Sequence, residues 1–490
     1  MKNKLNFALF IAFLGIFCFS IGFKKYYKLP PSSYHQGAQA DRLSIVYNYW
    51  QDNTDFFHPK VMENWLSDGI VGCEFPILYY GIAQIFKVSG FSYDIYRIIF
   101  FCFFILGALS AYQIAAFYVK ENSAAIITLV WIGSPIFCYY ALNFLPDMPA
   151  LGLTMFGWRL LLKQRKSHSK QALGLLILCL AGLLKASYSI HVAVAFSIYV
   201  LENRKIQWQI LLVSIIAIGS LAAWYEWASY LNKTYLNSHF LLKPNPAISF
   251  PNFVMLIGSN WRNWQSEMYP IATLLVILIG IIFIFYKPME QRLLRMIAMR
   301  LAILGLIYYL LFQTQFLYHD YYLLAFYPAN FFFLLIAFIG LKRYFYLVGF
   351  LKFVFIILLV FNFTNAKEQF NARYDINSYY YQPGMPKIIE KYETIAPFIN
   401  KYIPKDSFVI TAFDNTPNTT LLFMQRRGIR ISKDYSTAVF AERIMERNTN
   451  FVLCNDKEEF DIKLKEINGP SYQLIDSFKK IYLLRFKSKY

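Results

Sequence analysis

The stretch "QALGLLILCLAGLLKASYSIHVAVAFSIYVL" (171–201) is an apolar run with one lysine, Lys185, in its middle. At about 30 residues, the run is too long for one ordinary membrane-spanning helix and too short for two full ones. Basic segments flank it at 163–170 and 202–207, and basic loops tend to remain in the cytoplasm. The run is therefore predicted to form a hairpin of two short helices, with Lys185 at its apex on the outer side.

This apex predicts a cavity that opens outward. A charge below the surface of a bilayer is costly unless it faces water, and non-helical backbone at that depth is tolerated only beside a cavity or inside protein. Lys185 is thus a candidate functional residue. A single tilted span through 171–201 would instead place the later basic clusters outside.

The composition is that of an integral membrane protein. Of 490 residues, 57% are hydrophobic and 19% aromatic, and only 16% are charged. The net charge of +19 does not indicate nucleic-acid binding, because the basic residues recur in short clusters between apolar segments. With the hairpin, about eleven spans are predicted. The other spans are expected near 5–24, 97–119, 123–142, 149–162, 208–228, 269–286, 300–317, 322–340 and 344–363.

The predicted fold class is a multi-span α-helical membrane protein with a small extracytoplasmic α/β domain at its C-terminal end. Residues 1–365 are expected to form the transmembrane domain, with a first outer loop at 26–96, and residues 366–490 the outer domain. Segment 76–90 is predicted to be a helix in the membrane interface. Segment 411–428 has the pattern of a strand, a polar loop and a helix. Further elements of the tail are the strands "SFVITAF", "FVLCN" and "IYLLRF" and the helix "STAVFAERIMERN".

Unusual polar residues in or beside apolar segments fall on the predicted outer side; they are Asp41, Glu74, Asp147, Lys185, His319 and Asp320. Two of the acids also have a structural interpretation: Asp41 could be a solvated loop acid or a helix N-cap, and Asp147 could be a helix N-cap. Tyr321 and Tyr322 could belong to an interfacial aromatic belt. Together, however, the set suits transfer from a phosphate-linked donor: a carboxylate can accept a proton from an acceptor hydroxyl, while Lys or His neutralises the departing phosphate.

At this point the chain resembles the GT-C superfamily of integral membrane glycosyltransferases, of the family 39 type that includes protein O-mannosyltransferases and lipid A aminoarabinose transferases. The resemblance covers residues 1 to about 365. It depends on the order of five short motifs along the chain and on their position on the same predicted side of the membrane. These are "QADRLSIVYNYW" (39–50), "EFPILYYGIAQIFKVSG" (74–90), "PDMPAL" (146–151), "GLLKASYS" (182–189) and "HDYYLLAFYP" (319–328).

The resemblance implies roles for individual residues. Asp41 matches the first-loop acid and is expected to be the catalytic base, and Asp147 matches the second acidic position. Glu74 lies in the "EFP" motif and joins them in the catalytic group with an open role. The positions that resemble contacts to the donor lipid phosphate are Lys185, His319, Tyr321 and Tyr322.

The family also implies the substrate class. The donor would be a sugar on a polyprenyl phosphate, undecaprenyl in a bacterium, and transfer would invert the anomeric carbon. The acceptor would be a lipid, glycan or protein hydroxyl outside the inner (plasma) membrane. A divalent cation is used by some relatives only, so metal dependence stays open. The single Asp followed by Arg42, in place of a paired Asp-Glu, argues against a two-carboxylate metal site at this position.

Two other classes of function fit parts of the pattern. A transporter or lipid-linked sugar flippase would also place charges in cavities, but such proteins often have duplicated halves with matching interrupted helices. The hairpin at 171–201 has no evident counterpart elsewhere in the chain. A receptor anchored by its spans would need far fewer of them. The membrane glycosyltransferase is therefore the main hypothesis.

Overall fold

The computed structural model describes residues 2–65, 68–163, 167–201, 208–237, 240, 243–286, 291–344, 348–375, 378, 395–414, 416–445 and 449–487. The chain divides into two compact units. The helical unit comprises Met1–Lys28, Tyr93–Glu226 and Leu242–Tyr374. The mixed unit comprises Leu29–Ser92, Trp227–Leu241 and Asp375–Tyr490.

Helices make up nearly all of the regular structure up to Tyr374. In chain order they are α1 (Lys2–Ile21), α2 (Phe23–Tyr26), α3 (Gln36–Gln51), α4 (Ile77–Ser89), α5 (Tyr93–Ala116), α6 (Glu121–Ile132), α7 (Pro135–Tyr140), α8 (Asp147–Lys163), α9 (His168–Leu184), α10 (Ser189–Phe196), α11 (Trp208–Thr234), α12 (Phe250–Met268), α13 (Ile271–Tyr286), α14 (Arg292–Phe312), α15 (Tyr327–Tyr344) and α16 (Val348–Tyr374). Helical turns of other types cover Ala186–Tyr188, Ser197–Leu201, Gln315–Leu317 and Asp320–Phe326.

Several helices are long and apolar enough to cross a membrane. Among the described residues there are five: α5, α11, α14, α16 and the stretch Asp320–Lys342. Counted as one span, the pair α12 and α13, which is bent by 106° where the two helices meet, would be a sixth. Each predicted span overlaps one or more helices, and α1, α6 and α9 are shorter apolar helices. The chain is thus a multi-pass α-helical membrane protein, whereas the count of about eleven spans stays a prediction.

Glycine lets the helices of this unit approach one another closely. A Cβ atom at Gly152 of α8 would lie 2.3 Å from the backbone oxygen of Phe103 in α5. One at Gly280 of α13 would lie 2.1 Å from the backbone oxygen of Phe333 in α15. Small residues at helix contacts allow the dense packing that holds helices together in lipid.

The structure breaks the helix at Lys185, as the sequence predicts. Helix α9 ends at Leu184, Lys185 is extended with φ −154° and ψ 115°, and the chain then passes through Ala186–Tyr188 into α10. The prediction of two helices joined at Lys185 is confirmed. Which side of the membrane the apex faces stays a prediction.

The mixed unit contains a five-stranded sheet in the order β2-β1-β3-β5-β4. Its strands are β1 (Val409–Ala412), β2 (Gly428–Ile431), β3 (Phe451–Cys454), β4 (Tyr472–Phe478) and β5 (Ile481–Phe486). Strands β2, β1 and β3 are parallel, and β5 is antiparallel to both of its neighbours. Its helices are α17 (Ile395–Asn400), α18 (Thr419–Met424), α19 (Thr437–Met445) and α20 (Lys457–Glu466), together with α3 and α4 of the first loop. Apolar side chains of β1, β3, α19 and α20 form its core, including Ile410, Val452, Phe440 and Phe460.

Part of the loop predicted at 26–96 joins this sheet. Glu63 pairs with Gly428 as a parallel bridge at the edge of β2. The backbone N–H of Asn64 donates to the Gly428 oxygen at 2.9 Å, and that of Gly428 donates to the Met62 oxygen at 3.2 Å. The sequence division placed residues 26–96 with the transmembrane part, whereas residues 29–92 pack with the tail. Local patterns along the chain do not reveal this pairing because its two strands of chain are far apart in sequence.

Most elements of the tail agree with the sequence patterns. Strands β1, β3 and β5 and helix α19 lie where they are predicted, as does α4 within 76–90. Strands β2 and β4 and helix α12 were not predicted. Helix α12 lies between the predicted spans 208–228 and 269–286, where polar residues such as Asn260 and Glu267 are interspersed among apolar ones.

Candidate functional site

The seven predicted site residues fall into two groups, one in each unit. Asp147, Lys185, His319, Tyr321 and Tyr322 belong to the helical unit, and Asp41 and Glu74 belong to the mixed unit.

Lys185 is paired with the predicted acid Asp147. Its Nζ lies 3.3 Å from Asp147 Oδ2, and Asp147 is 1% exposed. Asp147 is the first residue of α8, where the N-terminal end of a helix favours a negative charge. The helix break supplies the second partner, because α9 ends immediately before Lys185. The structure thus pairs two residues that lie 38 positions apart, one in "PDMPAL" and the other in "GLLKASYS".

Aromatic rings surround the ammonium group of Lys185. Its Nζ lies 4.7 Å from the ring centroid of Tyr321 and 5.2 Å from that of Tyr322. The ring of His319 lies 5.3 Å from that of Tyr321. A cation over aromatic faces is stabilised by the negative charge of those faces. All five predicted residues of the helical unit are therefore brought together, and we call them the Lys185 group.

A buried ion network anchors the segment that carries these tyrosines. Asp320, next to Tyr321, accepts from Arg373 at 2.6 Å and from the Tyr140 hydroxyl at 2.5 Å. Arg373 also pairs with Glu267 at 3.0 Å. Both Arg373 and Asp320 are fully buried. Buried charges are kept only when they are paired and hydrogen-bonded, so this network fixes the position of Asp320–Phe326.

Sequence reasoning missed most of this network. Asp320 was noted as a polar residue of the predicted outer side, but Arg373 was assigned to the outer domain predicted at 366–490. In the structure, α16 continues past the end of the predicted span 344–363, to Tyr374. The signal that could have identified Arg373 is helical periodicity, since the apolar Phe370 precedes it by three residues and is also buried.

In the mixed unit, Asp41 is held by the tail. It is 9% exposed on α3, and its Oδ1 accepts a hydrogen bond of 2.7 Å from Nδ2 of Asn418. Asn418 is fully buried and precedes α18. Arg427 of the tail also contacts α3, because its Nε donates to Asn48 Oδ1 at 3.3 Å. The N-cap interpretation of Asp41 is wrong, since Asp41 lies inside α3.

Glu74 pairs with the arginine that follows Asp41. Its Oε1 lies 3.0 Å from Arg42 Nε and accepts from the Tyr79 hydroxyl at 2.5 Å. The guanidinium carbon of Arg42 lies 4.6 Å from the ring centroid of Phe240. Because its carboxylate is occupied by Arg42 and Tyr79, the geometry favours a supporting role for Glu74 over direct proton transfer. Asp41, Arg42, Glu74 and Asn418 are called the Asp41 group below.

The two groups differ in chemistry. The Lys185 group combines a cation with phenol and imidazole side chains, which are ligands for an anion such as a phosphate. The Asp41 group presents a carboxylate beside a neutral amide, and such a carboxylate can accept a proton. Within the described residues, no cluster of three or more His, Cys, Asp or Glu side chains could hold a metal ion.

Comparisons with known proteins identify the fold. No protein-family model matches the sequence, and no curated protein matches it significantly. Among solved structures, it is similar to ArnT from Cupriavidus metallidurans bound to undecaprenyl phosphate, with a TM-score of 0.60 and 10% identity over 97% of each chain. It is also similar to the archaeal oligosaccharyltransferase AglB from Archaeoglobus fulgidus in complex with an inhibitory peptide and a dolichol-phosphate. That match has a TM-score of 0.59 and 10% identity, and it covers 93% of this chain and 70% of AglB.

These matches extend over the helical part and the C-terminal sheet domain alike. The chain therefore has the GT-C membrane-protein fold that its sequence motifs indicate.

Proposed function

We propose that this GT-C protein is a membrane glycosyltransferase that moves a sugar from a polyprenyl phosphate to a hydroxyl acceptor. The observation that carries the proposal is the Lys185 group, in which a lysine at a helix break meets Asp147 and two tyrosines. A cation in this setting suits a lipid-linked phosphate. The fold supports the same class, because the similar structures hold undecaprenyl phosphate and dolichol-phosphate.

Lys185 is proposed to bind the donor phosphate. In the structure its ammonium is paired with Asp147, so an incoming phosphate would share or replace that partner. As the sugar leaves, negative charge grows on the phosphate, and a nearby cation stabilises it. His319, Tyr321 and Tyr322 would complete the contacts by donating hydrogen bonds to phosphate oxygens.

Asp41 is proposed as the general base. Its carboxylate would take the proton of the acceptor hydroxyl while the hydroxyl oxygen attacks the anomeric carbon and the polyprenyl phosphate leaves. One displacement of this kind inverts the configuration. Asp147 is a weaker candidate for the base, because its carboxylate is already paired with the ammonium of Lys185 at 3.3 Å. A carboxylate base contributes typically about 10²- to 10⁴-fold to a rate.

The proposed setting is the inner (plasma) membrane of a bacterium, with undecaprenyl phosphate as the lipid and the mixed unit on the outer side. The acceptor would be a lipid, a glycan or a protein hydroxyl of the cell envelope. The basic loops that favour the cytoplasm support this orientation.

The test compares surface glycans and polyprenyl-linked sugars by mass spectrometry in cells with wild type, Asp41→Asn, Asp55→Asn or no gene. We expect one sugar to vanish from an acceptor, and its lipid-linked form to accumulate, in the deletion and Asp41→Asn strains. Asp55 lies in the same loop and pairs with His58 at an exposed position, so Asp55→Asn is the matched control and should behave as wild type.

Two results would contradict the proposal. If Asp41→Asn behaves as wild type while the deletion lacks the sugar, Asp41 is not the base. If the lipid-linked sugar of the deletion strain stays on the inner leaflet, the protein is a flippase and not a transferase.

A further inference from the structure

Asn418 has an unusual position for an asparagine at the start of a helix. It is the residue before α18, where an Asn side chain commonly accepts a hydrogen bond from the first turn. Its side chain makes no such bond. The N–H of Thr420 is instead bound by Asp414 Oδ2 at 3.1 Å. The hydrogen bonds of the Asn418 side chain are therefore made to other groups.

The Asn418 side chain bridges two parts of the first loop. Asn418 Oδ1 accepts the backbone N–H of Glu63 at 2.8 Å, while Nδ2 donates to Asp41 Oδ1 at 2.7 Å. A backbone N–H can only donate, so it fixes which end of the amide is the oxygen. The NH₂ end must then face Asp41. The direction of this hydrogen bond thus follows from chemistry and not from an arbitrary choice of amide orientation.

Neighbouring contacts hold the Glu63 end of the bridge. Arg443 of α19 pairs with Glu63 Oε1 at 3.0 Å and also donates to the Arg430 backbone oxygen at 2.9 Å. The bridge between Glu63 and Gly428 continues the sheet edge. The backbone that orients Asn418 is therefore part of the sheet structure of the mixed unit.

We infer that Asn418 is a positioning residue for Asp41, and that orienting this carboxylate is a function of the tail. The inference rests on the proposed role of Asp41 as the base. By binding Oδ1, the amide sets the rotation of the carboxylate and so directs Oδ2 toward an acceptor hydroxyl. It also stabilises the charged form, which is the form that accepts a proton.

Asn418→Asp is the discriminating variant. It keeps the size of the side chain and the oxygen that accepts from Glu63, but it replaces the donor to Asp41 with a carboxyl group. Loss of a hydrogen bond to a charged group corresponds to a shift of about 1 to 2 pH units in the protonation of Asp41, and repulsion between the two carboxylates adds to this shift in the same direction. Misplacement of the base should also reduce transfer about 10- to 100-fold.

Protonation is measured on the purified full-length protein without any substrate. A hydrophobic carbodiimide reacts with protonated carboxyl groups, and peptide mass spectrometry quantifies its adduct on Asp41 as a function of pH. We expect the midpoint for Asn418→Asp to move to higher pH. Arg427→Met is the matched control: it removes the contact between Arg427 and Asn48, another contact between tail and loop, and should lower the Tm without moving the midpoint.

Transfer is measured in parallel in cells, as the sugar that the deletion strain lacks. A shifted midpoint with reduced transfer supports the inference. An unchanged midpoint in Asn418→Asp, or an equal shift in Arg427→Met, overturns it whatever the activity of the protein. A shifted midpoint with normal transfer overturns the role of Asp41 as base, and with it the catalytic part of the inference.

Discussion

The Lys185 group and the Asp41 group each contain a buried acid, but the two acids are held in opposite ways. Asp147 faces a full positive charge from Lys185 at 3.3 Å. Asp41 accepts from a neutral amide at 2.7 Å, while the cation next to it, Arg42, is paired with Glu74. A lysine paired with a carboxylate suits a site that receives a phosphate, whereas a carboxylate bound by an amide suits the proposed base. The comparison thus separates the proposed anion-binding group from the group that carries the proposed base.

The largest expected effect comes from the network that anchors the Lys185 group. Arg373→Met leaves Asp320 and Glu267 as buried carboxylates without their cation, which costs about 3–5 kcal/mol for a buried ion pair. We expect a large fall in Tm and loss of undecaprenyl phosphate binding, measured by thermal unfolding in detergent with and without the lipid. Arg262→Met on the exposed face of α12 is the control. A Tm equal to wild type would show that the network is dispensable.

A medium effect is expected from the pair that defines the Lys185 group. Lys185→Met leaves Asp147 buried without its cation and should destabilise the protein by about 1–3 kcal/mol. Adding Asp147→Asn removes the buried charge, so the double variant should regain stability. It should still bind undecaprenyl phosphate about 10- to 100-fold more weakly than wild type, as loss of one charge-assisted contact implies.

Native mass spectrometry measures that binding, and thermal unfolding measures the stability. Full recovery of lipid binding in the double variant would contradict the proposed role of Lys185. The role of Lys185 would then be to neutralise Asp147. The contrast between Asp147 and Asp41 would concern the stability of the fold and not lipid binding.

The smallest effect concerns Asp414, a buried acid of the mixed unit. Like Asp41, it accepts hydrogen bonds from neutral groups. Burial raises the pKa of Asp414 above its ordinary value, and hydrogen bonds from Thr420 and Thr416 oppose that rise. The folded protein therefore holds a proton at higher pH than the unfolded chain does, and stability falls as pH rises through this window.

Asp414→Asn should remove that fall, because a neutral amide can still accept from Thr420. The variant should equal or exceed wild type in Tm at pH 7, and the difference should shrink as the pH approaches the ordinary pKa of an aspartate. Thermal unfolding of the full chain between pH 4 and pH 8, with Asp434→Asn at an exposed position as control, measures it. A lower Tm for Asp414→Asn throughout would mean that the charge itself stabilises the fold.

How much the sequence could predict differs between the same two regions. In the helical unit, charge in an apolar segment is rare, so Lys185 and Asp147 were conspicuous, and the helix break at Lys185 followed from length and loop charge. Short motifs also placed His319, Tyr321 and Tyr322 with them. Arg373 was missed because α16 continues into polar sequence, where hydropathy no longer marks a helix.

In the mixed unit, Asp41 and Glu74 were predicted but their partners were not. Asn418 lies in "TAFDNTPNTTLLFMQRRG", where polar residues are ordinary and none is conspicuous. Its contact to Asp41 spans 377 residues, and no local pattern encodes such a pairing. Strand β2 was missed for a similar reason. It is only four residues long, and it pairs with β1 on one side and with the chain at Glu63 on the other.

The bridge between Glu63 and Gly428 has a consequence for biogenesis. Ribosomes make the first loop hundreds of residues before the strand it joins, so this loop cannot finish folding until that strand has been synthesised. Pairings of such high contact order form slowly and leave strand edges exposed in the meantime. The carboxylate of Asp41 acquires its amide partner only after α16 has been made, which makes maturation of this region a late step of biogenesis.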